Sequence, residues 1–383
     1  MKSITKNILI LMTATLLYAC GAPGKQEATK VGNPPLPQLS LDGIYAVGLI
    51  NNKEPIQTGG HEAVTIPSTI VGIQASGKTL VLDDRNFVVN TIRGISGGFL
   101  MNARRIGSDK HEMMFTRIDG KIFELPYAVA EGANEAFAEF VGQSFEQDLY
   151  FRDGKILKFN SGSWSSLNVN LESAHLEEIS EHHALIRGKN SIEQIFDLNT
   201  GSRFNVDRPL WLVSLNTSTA LIDPSKMIST QDGRQSGVST RLVHKAISGK
   251  SGVIAITDQC EGQSVRLMSP NGFLCLISKD LSTSLLLDEE MPNKPESLTT
   301  SGDYILIREL DNLFVVKIGT KRKSSILKDY NVFEAHLSEG FVYYRAETRD
   351  GKLLTNVYDI ERETSYEVAD WSSMMTQIQA IRK

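Results

Sequence analysis

The sequence predicts an all-β fold, and within that class a β-propeller with eight four-stranded blades or, as the next choice, seven. Short runs rich in Val, Ile, Leu, Phe and Tyr alternate with Gly, Asp, Asn and Ser, a pattern typical of strands joined by tight turns. Related hairpins return at a mean spacing of about 40 residues, the length of one blade. Helical periodicity is scarce, and Phe137 to Leu149 and Met374 to Ile381 are the best candidate helices.

The first element is an N-terminal export signal over residues 1–19. Two lysines precede an apolar run from Ile8 to Leu17, which is too short for the roughly 20 residues that a membrane-spanning helix needs. The run ends in Leu17-Tyr18-Ala19-Cys20, which resembles the lipobox of bacterial lipoproteins. The resemblance implies cleavage before Cys20 and lipidation of its thiol. An ordinary secretory signal followed by a chance cysteine is the alternative.

The residue after the cysteine bears on the destination of the protein. Lipoproteins retained in the inner membrane often carry Asp there, whereas this chain has Gly21. For a Gram-negative source, the resemblance therefore favours the outer membrane. Members of the family carry three acyl chains, and at about 0.8 kcal/mol per buried methylene they hold the protein on the membrane stably.

Residues 20–40 are predicted to be a tether between the lipidated cysteine and the folded body. Seven of the twenty residues from 21 to 40 are Gly or Pro, and none is aromatic. Such a segment cannot bury enough apolar surface to offset the entropy lost on ordering. At about 3 Å per residue, it reaches up to roughly 60 Å. The propeller domain is then expected over residues 41–383.

Charge and cysteine content agree with an exported protein. Removal of residues 1–19 takes away two of 40 basic residues, so the mature charge is 38 − 45 = −7, which argues against nucleic acid as a partner. Cys260 and Cys275 remain as a pair after Cys20 is lipidated. In an oxidising compartment they can form a disulfide, which would stabilise the fold by about 3 kcal/mol. Two reduced, partly buried thiols are the alternative.

The repeated unit is a hairpin. It begins with an apolar, a polar and an apolar residue, continues through a polar turn, and ends with an apolar residue ten positions after its first. Good copies begin at Leu157, Phe196, Val316 and Tyr358, and poorer copies begin near Leu80, near Ile122, near Val238, and at Val265 or Cys275. One blade cannot bury both of its faces, so blades stack around an axis and the ring must close. Gly43 to Ile50 or Thr376 to Ile381 could supply the closing strand. A pair of β-sandwiches is the alternative architecture.

One hairpin carries a family resemblance. Phe196-Asp197-Leu198-Asn199-Thr200-Gly201 resembles the Asp-x-x-Thr-Gly strand ends of propeller repeat families, and the anchor and length resemble those of bacterial outer-membrane propeller lipoproteins. Those relatives repeat a tryptophan after the Thr-Gly turn, where this chain has Phe204, and only Trp164 comes close elsewhere. The resemblance therefore implies the architecture without matching a specific family.

Three clusters contain residue types that could perform catalysis or bind a metal, a lipid or a protein. Gly94-Ile95-Ser96-Gly97-Gly98 fits the pattern of a hydrolase nucleophile elbow, but the next residues look like a strand, which favours a turn between strands. His175, Glu178, His182 and His183 suit zinc or copper in residue type, with Glu177 and Glu181 beside them, but their spacing fits no compact ligand motif, which favours a solvated loop. Lys321-Arg322-Lys323 could touch anionic lipid or an acidic protein, or be solvated at a hairpin tip.

The sequence assigns no catalytic, cofactor-binding or metal-binding residue. The function we expect is that of a membrane-anchored, non-enzymatic scaffold that is monomeric and binds partner proteins in the bacterial cell envelope. A sensor for a small ligand or glycan is the alternative, and a hydrolase or lyase with its site in the propeller channel is the third. The fold cannot choose among them, because propellers serve all three purposes.

Overall fold

A computed structural model of the chain describes residues 36–51, 67–108, 110–129, 140–144, 147–152, 156–160, 162–167, 175–188, 193–207, 209, 211–223, 226–237, 243–260, 263, 271–278, 282–292, 295–368 and 374–382. This part contains 33 β-strands arranged in eight antiparallel sheets. Each sheet is one blade, and the chain is an eight-bladed β-propeller as predicted. The pair of β-sandwiches is thereby excluded.

The first four blades follow the chain in order. Blade 1 contains β1 (Ala46–Ile50), β2 (Thr69–Ile73) and β3 (Thr79–Asp83), together with the last strand of the chain, β33 (Gln377–Ala380). Blade 2 contains β4 (Phe87–Ile95), β5 (Gly98–Arg105), β6 (His111–Arg117) and β7 (Ile122–Val129). Blade 3 contains β8 (Phe140–Gln143), β9 (Leu149–Arg152), β10 (Ile156–Asn160) and β11 (Ser163–Leu167). Blade 4 contains β12 (His175–Ser180), β13 (His183–Arg187), β14 (Glu193–Asp197) and β15 (Arg203–Val206).

The other four blades continue the series. Blade 5 contains β16 (Val213–Asn216), β17 (Thr219–Asp223), β18 (Lys226–Ser229) and β19 (Gln235–Gly237). Blade 6 contains β20 (Val243–Gly249), β21 (Gly252–Thr257), β22 (Asn271–Ser278) and β23 (Thr283–Leu285), with β24 (Met291–Pro292) also paired to β22. Blade 7 contains β25 (Ser297–Ser301), β26 (Tyr304–Arg308), β27 (Asn312–Lys317) and β28 (Arg322–Lys328). Blade 8 contains β29 (Asn331–Ser338), β30 (Phe341–Glu347), β31 (Leu353–Asp359) and β32 (Thr364–Glu367).

The blades are radial, with one inner strand each around a central channel. The inner strand is β33 in blade 1 and the first strand of every other blade, and inner strands of neighbouring blades contact each other. The fourth strands are the outer ones, and β19 is exposed along its whole length. Because strand directions alternate, the disc has two distinct faces. The upper face carries the connections from blade to blade and from second to third strands, and the lower face carries the remaining turns.

The hydrophobic core is divided among the junctions between blades. One cluster joins Leu306 and Val315 of blade 7 to Val342 and Tyr344 of blade 8. Six further clusters join neighbouring blades in the same way, at the junctions 2–3, 3–4, 4–5, 5–6, 6–7 and 8–1. A blade therefore buries its apolar faces against its two neighbours, which is the property that made a ring the expected arrangement.

Both segments proposed for ring closure take part in it. β33 pairs with β1 in antiparallel register, with Ala380 opposite Ala46 and Gln377 opposite Leu49. The C-terminal strand is thus the inner strand of a blade whose other three strands come from the N-terminal end of the chain. Ser338 Oγ of blade 8 also donates to the Ile381 carbonyl, at 2.7 Å. The ring is closed by a strand from each end of the sequence.

The two helix predictions are wrong. The segment from Phe137 to Leu149 contains β8 and the first residue of β9, and the segment from Met374 to Ile381 contains β33. Each is an inner strand of only four residues, too short for its alternation to stand out from helical spacing in the longer segment around it. No helix among the described residues is long and apolar enough to cross a membrane.

The repeats were located correctly in five blades. Leu157, Phe196, Val316 and Tyr358 lie in the third strands of blades 3, 4, 7 and 8, and Cys275 lies in the third strand of blade 6. The copies near Leu80 and Ile122 were placed one strand too late, because both residues lie in fourth strands. Val238 and Val265 lie outside the described residues.

Candidate functional site: the central channel

The inner strands leave one row of backbone groups without a strand partner, and hydroxyl side chains from neighbouring blades bond to them. Ser214 Oγ donates to the Ser180 carbonyl, Ser248 Oγ donates to the Ser214 carbonyl at 3.0 Å, and Thr300 Oγ1 donates to the Ser248 carbonyl at 3.1 Å. In return, Ser180 Oγ accepts a bond from the Ser214 amide at 2.8 Å. We call Ser180, Ser214, Ser248 and Thr300 the hydroxyl belt. It links the inner edges of blades 4 to 7.

Glutamate and glutamine side chains serve the same purpose elsewhere around the channel. Each accepts a bond from an inner-edge amide of a neighbouring blade: Gln143 from Ser96 (2.8 Å), Glu178 from Leu212 (3.0 Å), Glu334 from Ile378 (2.9 Å), Gln377 from Ile92 (2.9 Å) and Gln379 from Gly94 (3.2 Å). Burial raises the pKa of Glu178 and of Glu334. These polar residues are therefore engaged in holding the ring together.

The lower end of the channel contains a cavity of about 300 Å³. Its polar lining comes from inner strands and from the C-terminal segment: Glu178, Ser180, Glu181, Ser248, Thr299, Thr300 and Arg382. The Arg382 backbone is fixed, since its amide donates to the Ile95 carbonyl at 3.3 Å and its carbonyl accepts from the Gly97 amide at 2.7 Å. The side chain is exposed to the channel. The surrounding protein nevertheless lowers the pKa of Arg382.

The Gly-Ile-Ser-Gly-Gly segment is a turn between antiparallel strands, as the sequence favoured. Ile95 pairs with Gly98 across the β4–β5 hairpin, and Ser96 bonds through its backbone to the Gln143 side chain. The glycines are needed for close packing, since a Cβ on Gly94 would lie 2.0 Å from the Ala380 carbonyl oxygen. A nucleophile elbow requires a strand followed by a helix. The serine is therefore not in the setting of a hydrolase nucleophile.

The histidine and glutamate cluster is spread over a blade junction. His183 is fully buried, with Nδ1 2.8 Å from Ser214 Oγ and Nε2 3.4 Å from Thr230 Oγ1. Desolvation by burial lowers the pKa of His183 to about 4. Glu178 bonds to the Leu212 amide, and the His182 and His183 rings are nearly perpendicular with centroids 6.5 Å apart. Among the described residues, no group of three or more His, Cys, Asp or Glu side chains could hold a metal ion.

The basic triplet and the cysteine pair lie on third and fourth strands and in connections between strands, away from the inner strands. Lys321, Arg322 and Lys323 are at the β27–β28 turn, as expected for a hairpin tip, and two of them form ion pairs: Lys321 with Asp288 at 3.3 Å and Lys323 with Glu289 at 2.8 Å. Cys260 and Cys275 are buried with their sulfur atoms adjoining and their Cα atoms 6.1 Å apart, within the range of a disulfide. Residues 1–35, with Cys20 and most of the tether, lie outside the described part.

The upper face carries most of the exposed large apolar side chains. Of seven such residues among those described, five lie there, on the consecutive blades 7, 8, 1 and 2: Leu310, Phe333, Leu353, Met374 and Ile106. Leu310 is 67% exposed and Met374 is 58% exposed. The other two, Leu80 and Val81, are on the outer strand β3. We call the five residues the upper apolar set.

The chain enters the propeller at the opposite face. Leu39 and Leu41 are buried, and the Leu39 amide donates to the Gly120 carbonyl at 3.0 Å, in the lower-face turn between β6 and β7. Gly120 has a φ of 82°, and a Cβ there would lie 1.6 Å from the Leu39 carbonyl oxygen. Only glycine fits at this contact, so the sequence specifies where the N-terminal segment docks.

Sequence reasoning missed the hydroxyl belt and Arg382. A signal for the belt existed, because Ser180, Ser214 and Ser248 follow one another at intervals of 34 residues. The prediction of the repeats used apolar hairpins, which correspond to the third and fourth strands of a blade. Nothing in the sequence around Arg382 indicates that the end of the chain returns to the channel.

The chain thus belongs to the class of eight-bladed β-propellers. No protein-family model and no curated protein matches it. Among solved structures, it is similar to Porphyromonas gingivalis dipeptidyl peptidase 4 (9% identity, 75% of this chain and 53% of that chain, TM-score 0.48). It is also similar to the β-propeller domain of the Trilobed protease from Pyrococcus furiosus (11% identity, 75% and 99%, TM-score 0.42). TolB from Acinetobacter baumannii matches as well (12% identity, 78% and 83%, TM-score 0.30).

At these identities the likenesses are ones of fold alone. The chain spans about half the length of the dipeptidyl peptidase.

Proposed function

We propose that the protein is a membrane-anchored, non-enzymatic propeller that binds partner proteins in the bacterial cell envelope. The upper apolar set carries the proposal. Single exposed apolar residues are normal on a protein surface, but five on the same face of four consecutive blades favour an interaction surface. A specific interface needs only about 800 Å² from each partner, which is small compared with one face of a propeller.

The position of the N-terminal segment agrees with this use of the upper face. Leu39, near the end of the predicted tether of residues 20–40, bonds to Gly120 on the lower face. The upper apolar set lies on the opposite face of the disc. Cys20, as the predicted lipid site, would hold this disc at the membrane.

The arrangement of polar residues favours a scaffold over a hydrolase. Ser96 lies in a hairpin turn, His183 is buried between two blades, and Glu178 and Glu334 bond to backbone amides of neighbouring blades. These four residues, whose types could perform acid–base or nucleophilic chemistry, are thus engaged in the structure of the ring.

Photocross-linking in intact cells tests the partner surface. A photoreactive amino acid at Leu353 should yield a discrete adduct with an envelope protein, and the same group at Lys250 on the lower face should not. The Leu310→Ser/Phe333→Ser variant should lose the Leu353 adduct without loss of folding, because both side chains are exposed. Adducts of equal yield from both faces, or adducts unaffected by that variant, would contradict the proposal.

The anchor has its own test. Cys20→Ser should remove the acyl chains and release the protein into the soluble fraction, whereas the wild type stays with the membrane. Retention of the variant on the membrane would show that something other than a lipid at Cys20 holds the protein there.

A further inference from the structure

The cavity at the lower end of the channel contains a cation without a counter-ion. Among the described residues, no carboxylate lies within ion-pair distance of Arg382, although most arginines in this part of the chain have one. Glu178 lines the same cavity, but its Oε2 accepts the Leu212 amide. An exposed guanidinium in a recess walled by protein is a ready partner for an anion, because the walls focus its field.

A second arginine adds to the positive potential. The guanidinium of Arg93 on β4 lies 5.0 Å from the centre of the Phe140 ring. Desolvation by the surrounding protein and the charge of Arg382 both lower the pKa of Arg93, so the two cations are close enough to repel each other. An anion placed beside Arg382 relieves this repulsion.

The rest of the lining determines what else the ligand must carry. The hydroxyl protons of Ser248 and Thr300 are donated to backbone carbonyls, so the oxygen atoms of both residues retain only acceptor capacity. Glu178 and Glu181 add carboxyl oxygens. The Thr299 hydroxyl has no partner among the described residues and can donate or accept. The cavity therefore combines one cationic donor and one free hydroxyl with a wall rich in acceptors. Its complement is a molecule with one anionic group and several hydroxyl donors.

We propose that this cavity binds a small hydroxylated carboxylate of the sugar-acid type. The carboxylate would form the paired bond that a guanidinium makes with two oxygens, and the hydroxyl groups would donate to the belt and to the glutamates. A volume of about 300 Å³ lies at the lower end of the range for small-molecule sites. The site is at the end of the channel opposite the upper apolar set, so it is independent of partner binding there.

Isothermal titration calorimetry at constant ionic strength tests the proposal, with D-glucuronate as the probe. Saturable binding of glucuronate is expected, with much weaker binding of D-glucose, which lacks the carboxylate, and of propionate, which lacks the hydroxyls. Arg382→Gln should weaken glucuronate binding by about ten- to a hundredfold, the usual cost of losing a charged hydrogen bond. The affinity of Arg382→Lys for glucuronate should lie between those of the wild type and of Arg382→Gln, because lysine keeps the charge and loses the second donor.

Arg85→Gln is the matched control, since it removes the same charge from a side chain that is 87% exposed in the turn between β3 and β4. It should leave the affinity unchanged. Folding of all variants is checked by their thermal midpoints, which should not move because the Arg382 backbone makes the structural bonds. Absence of saturation by glucuronate, equal affinity for glucose, or unaltered binding by Arg382→Gln would overturn the proposal.

Discussion

At the scale of single residues, His183 shows how a polar cluster can be structural. Its ring lies in the junction between blades 4 and 5, next to Ser214 and Thr230, and Thr230 donates in turn to Asp197 at 3.0 Å. Asp197 also accepts the Asn199 and Thr200 amides, which closes the turn of the Asp-x-x-Thr-Gly hairpin. The motif that carried the family resemblance is thus part of a buried network that joins two blades.

His183 should make the stability of the protein pH-dependent. Its pKa is about 4 in the folded chain and 6.5 in the unfolded chain, so the unfolded chain takes up the proton first as the pH falls. The stabilisation from the neutral ring is complete above pH 6.5. As the pH falls from 6.5 to about 4, the free energy of unfolding decreases by about 3 kcal/mol. Urea unfolding across this range measures it. His183→Gln should weaken the dependence of the free energy of unfolding on pH. Part of the dependence should remain, because the pKa of His336 is also lowered to about 4 and acts in the same direction.

A variant whose stability falls as steeply as that of the wild type would show that His183 is not the titrating group. His183→Gln keeps a hydrogen-bonding side chain in the junction, so its folding at neutral pH is expected.

Cys260 and Cys275 give a second prediction at this scale. If they are bridged, the bond closes a loop with a sequence separation of 15, and its removal should cost about 3 kcal/mol. Reductant should therefore lower the thermal midpoint of the wild type and should not affect Cys260→Ala/Cys275→Ala. A wild-type midpoint that is insensitive to reductant under denaturing conditions would mean that the two buried cysteines are thiols.

At the scale of elements, the inner strands explain why the channel is polar. Free amides and carbonyls on a strand edge need partners or water, and an uncovered edge can pair with another chain. Here the side chains of one inner strand bond to the edge of the next, as Ser248 does for Ser214 and Gln379 does for Gly94. Polar residues on these strands thus stabilise the ring.

Gln377 provides the test of this role. Its Oε1 accepts the Ile92 amide at 2.9 Å and its Nε2 donates to the Asn90 carbonyl at 3.2 Å. Both bonds cross the junction between blades 1 and 2. Gln377→Leu should lower the free energy of unfolding by about 1–3 kcal/mol, since two backbone groups lose their partner. Gln235→Leu on the exposed strand β19 is the matched control and should have little effect. Amide hydrogen exchange at Ile92 should quicken in the first variant only; unchanged exchange there would argue against the role.

The elements that the sequence predicted best are hairpins marked by a polar turn. The third and fourth strands of blades 3, 4, 7 and 8 are joined by such turns, so Leu157, Phe196, Val316 and Tyr358 were placed in the right strand. β8 and β33 are inner strands whose neighbours lie on both sides, and they were mistaken for helices. Local pattern carries little information about such strands, because distant blades determine their surroundings.

The candidate site was harder to predict for the same reason. The cavity is formed by Ser180, Ser248, Thr300 and Arg382, which come from four blades and are brought together only when the ring closes. Each is an ordinary residue in its own stretch of sequence. A motif search therefore selected Ser96 and His183, which are close to other chemically active residues along the chain but occupy structural positions in the fold.

At the scale of the whole molecule, stability depends on an unbroken circle. Among the described residues, hydrophobic clusters join seven of the eight pairs of neighbouring blades, so separating two such blades exposes two apolar surfaces. Val71, Tyr343, Val357 and Ile378 meet at the junction between blades 8 and 1, where β33 from the end of the chain completes a blade from its beginning. The ends of the chain are thus coupled to the stability of all eight blades.

Truncation after residue 368 should therefore disrupt the entire propeller. The truncated chain lacks β33, which leaves the β1 edge unpaired and exposes the core that Met375, Ile378 and Ile381 cover. At about 1.5–3 kcal/mol for each buried side chain, the loss is comparable with the whole stability of a typical domain. We expect a lower, broader unfolding transition and association through the free β1 edge, observed by size-exclusion chromatography.

A synthetic peptide of residues 374–382 added in trans should restore a monomer and raise the unfolding midpoint, because it can supply the missing inner strand. Removal of residue 383 alone is the control and should change neither property. A truncated chain that remains monomeric and unfolds like the wild type would mean that the blades are stable without closure. The physical basis proposed for the fold would then be wrong.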